Sequence, residues 1–207
     1  MYFGRLACVA WLTLLGPFAS GGTFNPDRTI GDVVPAWQDL PGVDGRLHGW
    51  DSVADHDFVV VVFTCNSCPY AVDYEDRVEA LARQAGEAES RFAVVAINSN
   101  RIPEDSLPAM QERAKKKHFS FPYLFDESQS VARSFGAVRT PEFFILDRQR
   151  RIVYMGAMDD NADPSRVTKT YLTDALAALQ SGRAVPVAET APVGCMIRFV
   201  RNTTRKR

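Results

Sequence analysis

Neither sign of charge is in excess: 24 lysines and arginines face 25 aspartates and glutamates in 207 residues, a formal net charge of −1. That balance gives no support to nucleic-acid binding, which leaves a basic footprint. Histidine is scarce, with His48, His56 and His118 alone, and cysteine is limited to Cys8, Cys65, Cys68 and Cys195. A zinc site usually draws on two pairs of such residues at short spacing. One short-spaced pair exists here, so no metal and no other cofactor is expected. There is no internal repeat and no sign of a second domain in a chain long enough for one substantial core.

No apolar stretch is long enough to span a bilayer comfortably; Leu6 to Leu15 falls short. With Arg5 before it, Gly16-Pro17 after it and the small residues Ala19 to Gly22 beyond, residues 1–22 read as a secretory signal peptide. The alternative is an uncleaved anchor, the one route to a membrane. Export to the periplasm or another extracytoplasmic space would put the mature chain where disulfides persist, with three cysteines left, an odd number.

What the chain does have is the stretch Phe58 to Pro69, F-V-V-V-V-F-T-C-N-S-C-P. A continuous β-branched and aromatic run reads as a strand buried on both faces. Cys65 and Cys68 follow where it ends, and Pro69 suits the first turn of a helix. A helix N-terminus favours thiolate over thiol, and paired thiols there can attack a disulfide and close on each other. The same spacing also serves half a metal site, or two structural cysteines.

Strands and helices alternate along the rest. Val78, Leu81, Ala82 and Ala85 mark a helix stopping at Gly86, and Phe92 to Asn98 a second buried strand. Pro103 to about His118 reads as one helix, Phe121 to Phe125 as a strand, and Ser128 to Phe135 as a short helix. Glu142 to Leu146 and Ile152 to Met155 read as paired strands, and Leu172, Ala175, Leu176 and Leu179 as the last helix. Before all of these, Gly31 to Gly45 suggests a hairpin or edge strands. Asp73, Glu75 and Asp76 read as a solvated acidic face, and Asp159 to Pro164 as a solvated loop. His48 and His56 are read as solvated, with copper ligation the alternative. The pattern gives an α/β chain, with helices on both faces of a sheet.

With Cys65-Asn66-Ser67-Cys68 after a core strand and Val138-Arg139-Thr140-Pro141 before a later one, the chain resembles the thioredoxin fold. More closely it resembles the redoxin branch, through G-D-V-V-P-A-W, C-N-S-C-P-Y, V-A-I-N-S-N, F-P-Y-L-F-D-E-S-Q, V-R-T-P-E-F-F-I-L-D and G-C-M-I-R-F. The resemblance spans nearly all of residues 30–200. It implies a central mixed β-sheet flanked by helices on both faces, and a cis Thr140–Pro141 bond beside the thiols, where substrate chain is received. Residues 23–189 would form the domain and residues 190–207 an extension ending in a basic tail. Some marks of relatives are missing. Thr64 stands where thioredoxin has tryptophan, and no acid lies in Phe58 to Phe63. Cys65 and Val61 stand where a peroxiredoxin has its threonine and proline.

The resemblance thus implies an exported thiol–disulfide oxidoreductase acting on protein thiols and disulfides with a redox partner protein. Cys65 would attack, as the more exposed thiol, Cys68 would resolve, and Thr140 and Pro141 would face substrate. A peroxiredoxin-like thiol peroxidase is the alternative enzyme, and a copper-handling or thiol-based binding protein the alternative without turnover. Cys195 is a candidate additional redox thiol: a buried free thiol, a second resolving cysteine near Cys65, or an intermolecular bridge. Met196, Ile197 and Phe199 would dock its segment, as an added edge strand.

Overall fold

The computed structural model describes residues 21–200. All but the last two residues of the signal-like segment, and the basic end of the tail at 201–207, lie outside them. Among the described residues, no helix is long and apolar enough to cross a membrane.

The opening stretch holds two short antiparallel strands, β1 (Leu40–Pro41) and β2 (Leu47–His48), the second beyond the expected Gly31 to Gly45. The core strand is β3 (Phe58–Phe63), followed by helix α1 (Pro69–Ala85). Next come β4 (Phe92–Asn98), α2 (Leu107–Lys117), β5 (Tyr123–Phe125) and α3 (Ser130–Phe135). The chain continues through β6 (Arg139–Thr140), β7 (Glu142–Asp147), β8 (Ile152–Gly156), α4 (Tyr171–Gln180) and β9 (Cys195–Met196). The five-stranded sheet runs β5-β4-β3-β7-β8. β3, β4 and β5 pair in parallel, whereas β7 runs antiparallel to both β3 and β8, so the sheet is mixed.

The side chains of β3 alternate faces, as a pleated strand requires. Val59, Val61 and Phe63 point to a core closed by Trp37, Trp50 and, from α3, Val131, Ala132 and Phe135. Val60 and Val62 point to the opposite core, closed by Tyr74, Val78 and Leu81 of α1, Met110 of α2 and Leu172, Ala175 and Leu176 of α4. This two-sided burial is why the run reads as continuously apolar.

Several expectations need correction. The stretch from Pro103 is not one helix: Pro103–Asp105 is a 3₁₀ turn, Ser106 is extended, and α2 starts at Leu107 with Pro108 in its first turn. The strand expected from Phe121 starts at Tyr123. Glu75 is buried rather than solvated, because Arg113 from α2 meets it with two hydrogen bonds of 2.7 Å. Asp159 is likewise buried, accepting from the Tyr74 hydroxyl at 2.8 Å and from Arg77, whose guanidinium lies 3.7 Å from the Tyr74 ring centroid.

Candidate functional site

β3 delivers the thiols to the end of the sheet. After Phe63 the backbone leaves the ladder, the Thr64 N–H still reaching the Ile97 carbonyl at 2.9 Å. Residues 65–67 form a short loop, and Cys68, not Cys65, is the N-cap of α1, with Pro69 in the first turn. Of the two thiols at the helix start, Cys68 therefore receives the helix-terminus field.

A polar network fixes the loop from one side. Asp105, fully buried in the 3₁₀ turn, accepts from the Ser67 N–H at 2.9 Å, the Ser67 hydroxyl at 2.7 Å and the Asn100 amide at 2.9 Å. Asn66 donates to the Glu104 carbonyl at 3.0 Å and accepts from the Tyr123 hydroxyl at 3.2 Å. Sequence reading missed Asp105, because its role needs the fold to bring residue 105 under residue 67. The clue available was a polar N-S-N run ending a buried strand, just ahead of an acidic turn.

Cys65 and Cys68 are 3% and 1% exposed, so neither is meaningfully the more accessible. Thr140, its bond to Pro141 cis, lies against both. Cys65 Sγ is 3.4 Å from the Thr140 hydroxyl and 3.7 Å from the Ser67 hydroxyl. Cys68 Sγ is 3.0 Å from the Thr140 carbonyl, to which its thiol form donates. Pro141 also borders a narrow apolar crevice that reaches Cys65 between Tyr74, Phe119, Phe121 and Tyr123.

Cys195 comes to the same place. Its strand β9 pairs antiparallel with β6, Cys195 opposite Thr140. Its N–H points at Cys68 Sγ at 3.4 Å, and its half-buried side chain packs on the cluster of Cys65, Cys68 and Ala71. The segment does not add an edge strand to the five-stranded sheet; β9 forms a separate two-stranded ladder with β6, and Ile197, 4% exposed, docks it while Met196 is 68% exposed. Phe199 lies under the Arg133 guanidinium and against the core.

The three thiols differ in charge preference. The Cys68 thiol is held down to about 4, chiefly by the hydrogen bond from Cys65; burial opposes this, and the Cys195 thiol and the N–H groups of Ala71 and Cys195 add to it. Cys65 is pushed up, first by donating to Cys68 and then by burial. Cys195 is pushed up to about 11 by its hydrogen bond to Cys68 and by burial. The helix terminus and the N–H groups of Ala71 and Cys195 favour negative charge on Cys68, while the Thr140 carbonyl at 3.0 Å favours its thiol form. Nearby, Glu142 is 2% exposed and burial pushes its carboxyl up to about 7, although it accepts from the Val138 and Arg139 N–H groups at 2.8 and 3.0 Å.

The histidines lie elsewhere. His48 bonds Asp44 at 3.0 Å, and His56 bonds the Val53 carbonyl at 3.2 Å. Among the described residues, no group of three or more His, Cys, Asp or Glu side chains is arranged to hold a metal ion.

A search of curated protein sequences finds no match. Among solved structures, a hypothetical protein of Sinorhizobium meliloti 1021 is 37% identical with a TM-score of 0.74, over 83% of this chain and 95% of that one. An uncharacterized conserved protein of Geobacillus kaustophilus is 33% identical with a TM-score of 0.77, over 90% and 98%. Peroxidoxin BcpB of Mycobacterium tuberculosis, 22% identical with a TM-score of 0.57 over 74% and 97%, shares the fold. The redoxin family profile matches residues 29–172, which takes in the sheet, the C-x-x-C and the Thr140–Pro141 turn. Sheet order, thiol placement and profile agree, and the chain belongs to the redoxin family, with its thioredoxin-like fold.

Proposed function

We propose that this protein is a thiol–disulfide oxidoreductase that works through Cys65 and Cys68 on protein disulfides. The observation that carries the reading is the pair itself: two free, adjacent thiols at a strand-to-helix junction, one of them at the N-cap of α1, where thiolate is favoured. Redoxin-family membership supports redox chemistry of the thioredoxin kind at a general level.

In the proposed cycle, Cys68 attacks and Cys65 resolves. The Cys68 thiolate displaces one sulfur of a substrate disulfide, giving a mixed disulfide and a substrate thiolate. Cys65 then attacks Cys68 Sγ, releasing the second substrate sulfur. The products are the Cys65–Cys68 disulfide and two substrate thiols, so two electrons pass to the substrate. Two protons follow them, one from the Cys65 thiol and one from solvent. The Ser67 hydroxyl, 3.7 Å from Cys65 and 2.7 Å from the buried Asp105, can relay the Cys65 proton to that carboxylate. Thr140 braces both sulfurs, and Pro141 borders the narrow apolar crevice beside Cys65. A redox partner protein would return the pair to the dithiol. The signal-like residues 1–22 favour an extracytoplasmic setting, which sequencing the N-terminus of the chain recovered from cells would test.

One observation favours a thiol peroxidase as second reading: the thiolate falls on Cys68, where the resemblance puts a peroxidatic cysteine. Against it, Cys65 occupies the place of the peroxide-polarising threonine. A side-by-side assay separates the two. The first reading expects catalysed reduction of insulin disulfides that is lost in Cys68→Ser, with peroxide consumed more slowly. Peroxide turnover at least as fast as disulfide turnover reverses the order.

A further inference from the structure

Cys68 has a thiol on each side. Cys65 reaches it through the loop; Cys195 reaches it from 127 residues away, on a strand laid over Thr140. That placement is built by several contacts besides the cysteine. A side chain on Gly194 would begin 2.1 Å from the Thr140 carbonyl oxygen, so only glycine lets the strand lie this close. Arg139 donates to the Gly194 carbonyl at 2.9 Å, and the Ile197 N–H reaches the Val138 carbonyl at 2.9 Å. Beyond it, Asn100 accepts from the Arg198 N–H at 2.8 Å, and Gln129 accepts from the Val200 N–H at 2.8 Å. Contacts at Gly194, Ile197, Arg198 and Val200 thus seat one half-buried thiol against Cys68.

We propose that Cys195 is a third exchange thiol, and that the oxidised protein passes between a Cys65–Cys68 and a Cys68–Cys195 disulfide. The inference rests on the reading that Cys65 and Cys68 form the redox pair. In the step, the Cys195 sulfur attacks Cys68 Sγ. The Cys65–Cys68 bond breaks, the Cys68–Cys195 bond forms, and Cys65 leaves as thiolate. It takes up one proton as Cys195 gives up one. No electrons are gained or lost, so no further oxidant is required. The exchange carries the oxidising equivalents from a buried loop to a strand at the surface, where Met196 next to the disulfide is exposed. A reducing partner then meets the disulfide at Cys195 without opening the Asp105-anchored loop.

The site also sets which thiol exchanges with which. Cys195 touches Cys68 through its own N–H, and Thr140, which lies between β9 and the loop, keeps its hydroxyl on Cys65. A Cys65–Cys195 bond is therefore not expected.

Disulfide connectivity, read by mass spectrometry, tests this without relying on turnover. The full chain is oxidised in glutathione buffers, quenched in acid, alkylated and digested with trypsin. Cleavage after Arg46, Arg77, Arg183 and Arg198 puts Cys65 and Cys68 on one peptide and Cys195 on another. The expected result is a mixture of the internal 65–68 disulfide and a cross-link to the Cys195 peptide. Cys65→Ser should shift the population to the Cys68–Cys195 cross-link, and Gly194→Val, which keeps all three thiols but lifts the strand, should lose the cross-link while keeping the 65–68 bond. A Cys195 that stays fully alkylated in oxidised wild type and in folded Cys65→Ser overturns the proposal, as does a cross-link that runs through Cys65. If wild type forms neither disulfide across the buffer range, the redox-pair reading fails first; a 65–68 bond with Cys195 always free defeats this inference alone.

Discussion

The two flanks of Cys68 are built on different principles. The Cys65 flank is local and polar: a loop between a core strand and a helix, pinned by a buried carboxylate with three hydrogen bonds. The Cys195 flank is distant and spread along the chain: two paired residues, one glycine, the buried side chain of Ile197, and single hydrogen bonds that tie Arg139, Asn100 and Gln129 to successive backbone groups. Polar networks in a low-dielectric interior fail all together, whereas a two-residue ladder outside the main sheet can open with few losses. The contrast assigns rigidity to one thiol pair and reversible contact to the other.

The strongest way to break the comparison is to remove its centre. Cys68→Ser should lower disulfide exchange by roughly 100-fold or more, because the one preorganised thiolate is gone. Retention of most activity would mean that Cys65 carries the thiolate. Asp105→Ala tests the rigid flank. It strands the Ser67 N–H and the Asn100 amide in a buried site, at a cost of about 3 kcal/mol in urea unfolding. A loss within experimental error would make the network dispensable.

Glu142 probes the shared wall behind both flanks, through pH. Its carboxyl titrates near 7 in the folded protein against an ordinary 4.5, so the folded state holds a proton the unfolded state has lost between those values. Stability should therefore fall as pH rises from about 4.5 to about 7, by roughly 3 kcal/mol for this group. Glu142→Gln keeps an acceptor for the Val138 and Arg139 N–H groups and should remove that slope. A wild-type-like slope in the variant would assign the effect elsewhere. The smallest effect is expected at the removable flank: Ile197→Ala should speed alkylation of Cys68 about 10-fold, through local opening, with the urea midpoint little changed. An unchanged alkylation rate would mean that β9 does not cover the thiolate.

The fold was legible where periodicity and covalent signals are strong. The double-faced run of β3, the period of α1 and α4, and the proline at the helix start all survive in place. The meeting of Cys65, Cys68 and Thr140–Pro141 followed from the resemblance rather than from spacing. Asp105 and Glu142 were not legible, since an acidic residue looks solvated until the fold removes its water. Glu75 and Asp159 were misread for the same reason: their arginine partners lie 38 and 82 residues away. Which of the two thiols takes the helix terminus was not legible from the C-x-x-C spacing; the fold gives that place to Cys68.

Which sulfur attacks is the sharpest test. A Cys65→Ser, Cys195→Ser double variant, left with no resolving thiol, is mixed with a disulfide-bearing protein and quenched with acid. A stable mixed disulfide on Cys68 is predicted, with none formed by Cys68→Ser under the same conditions. Accumulation of the mixed disulfide on Cys65 in Cys68→Ser, with none on the double variant, would contradict the account.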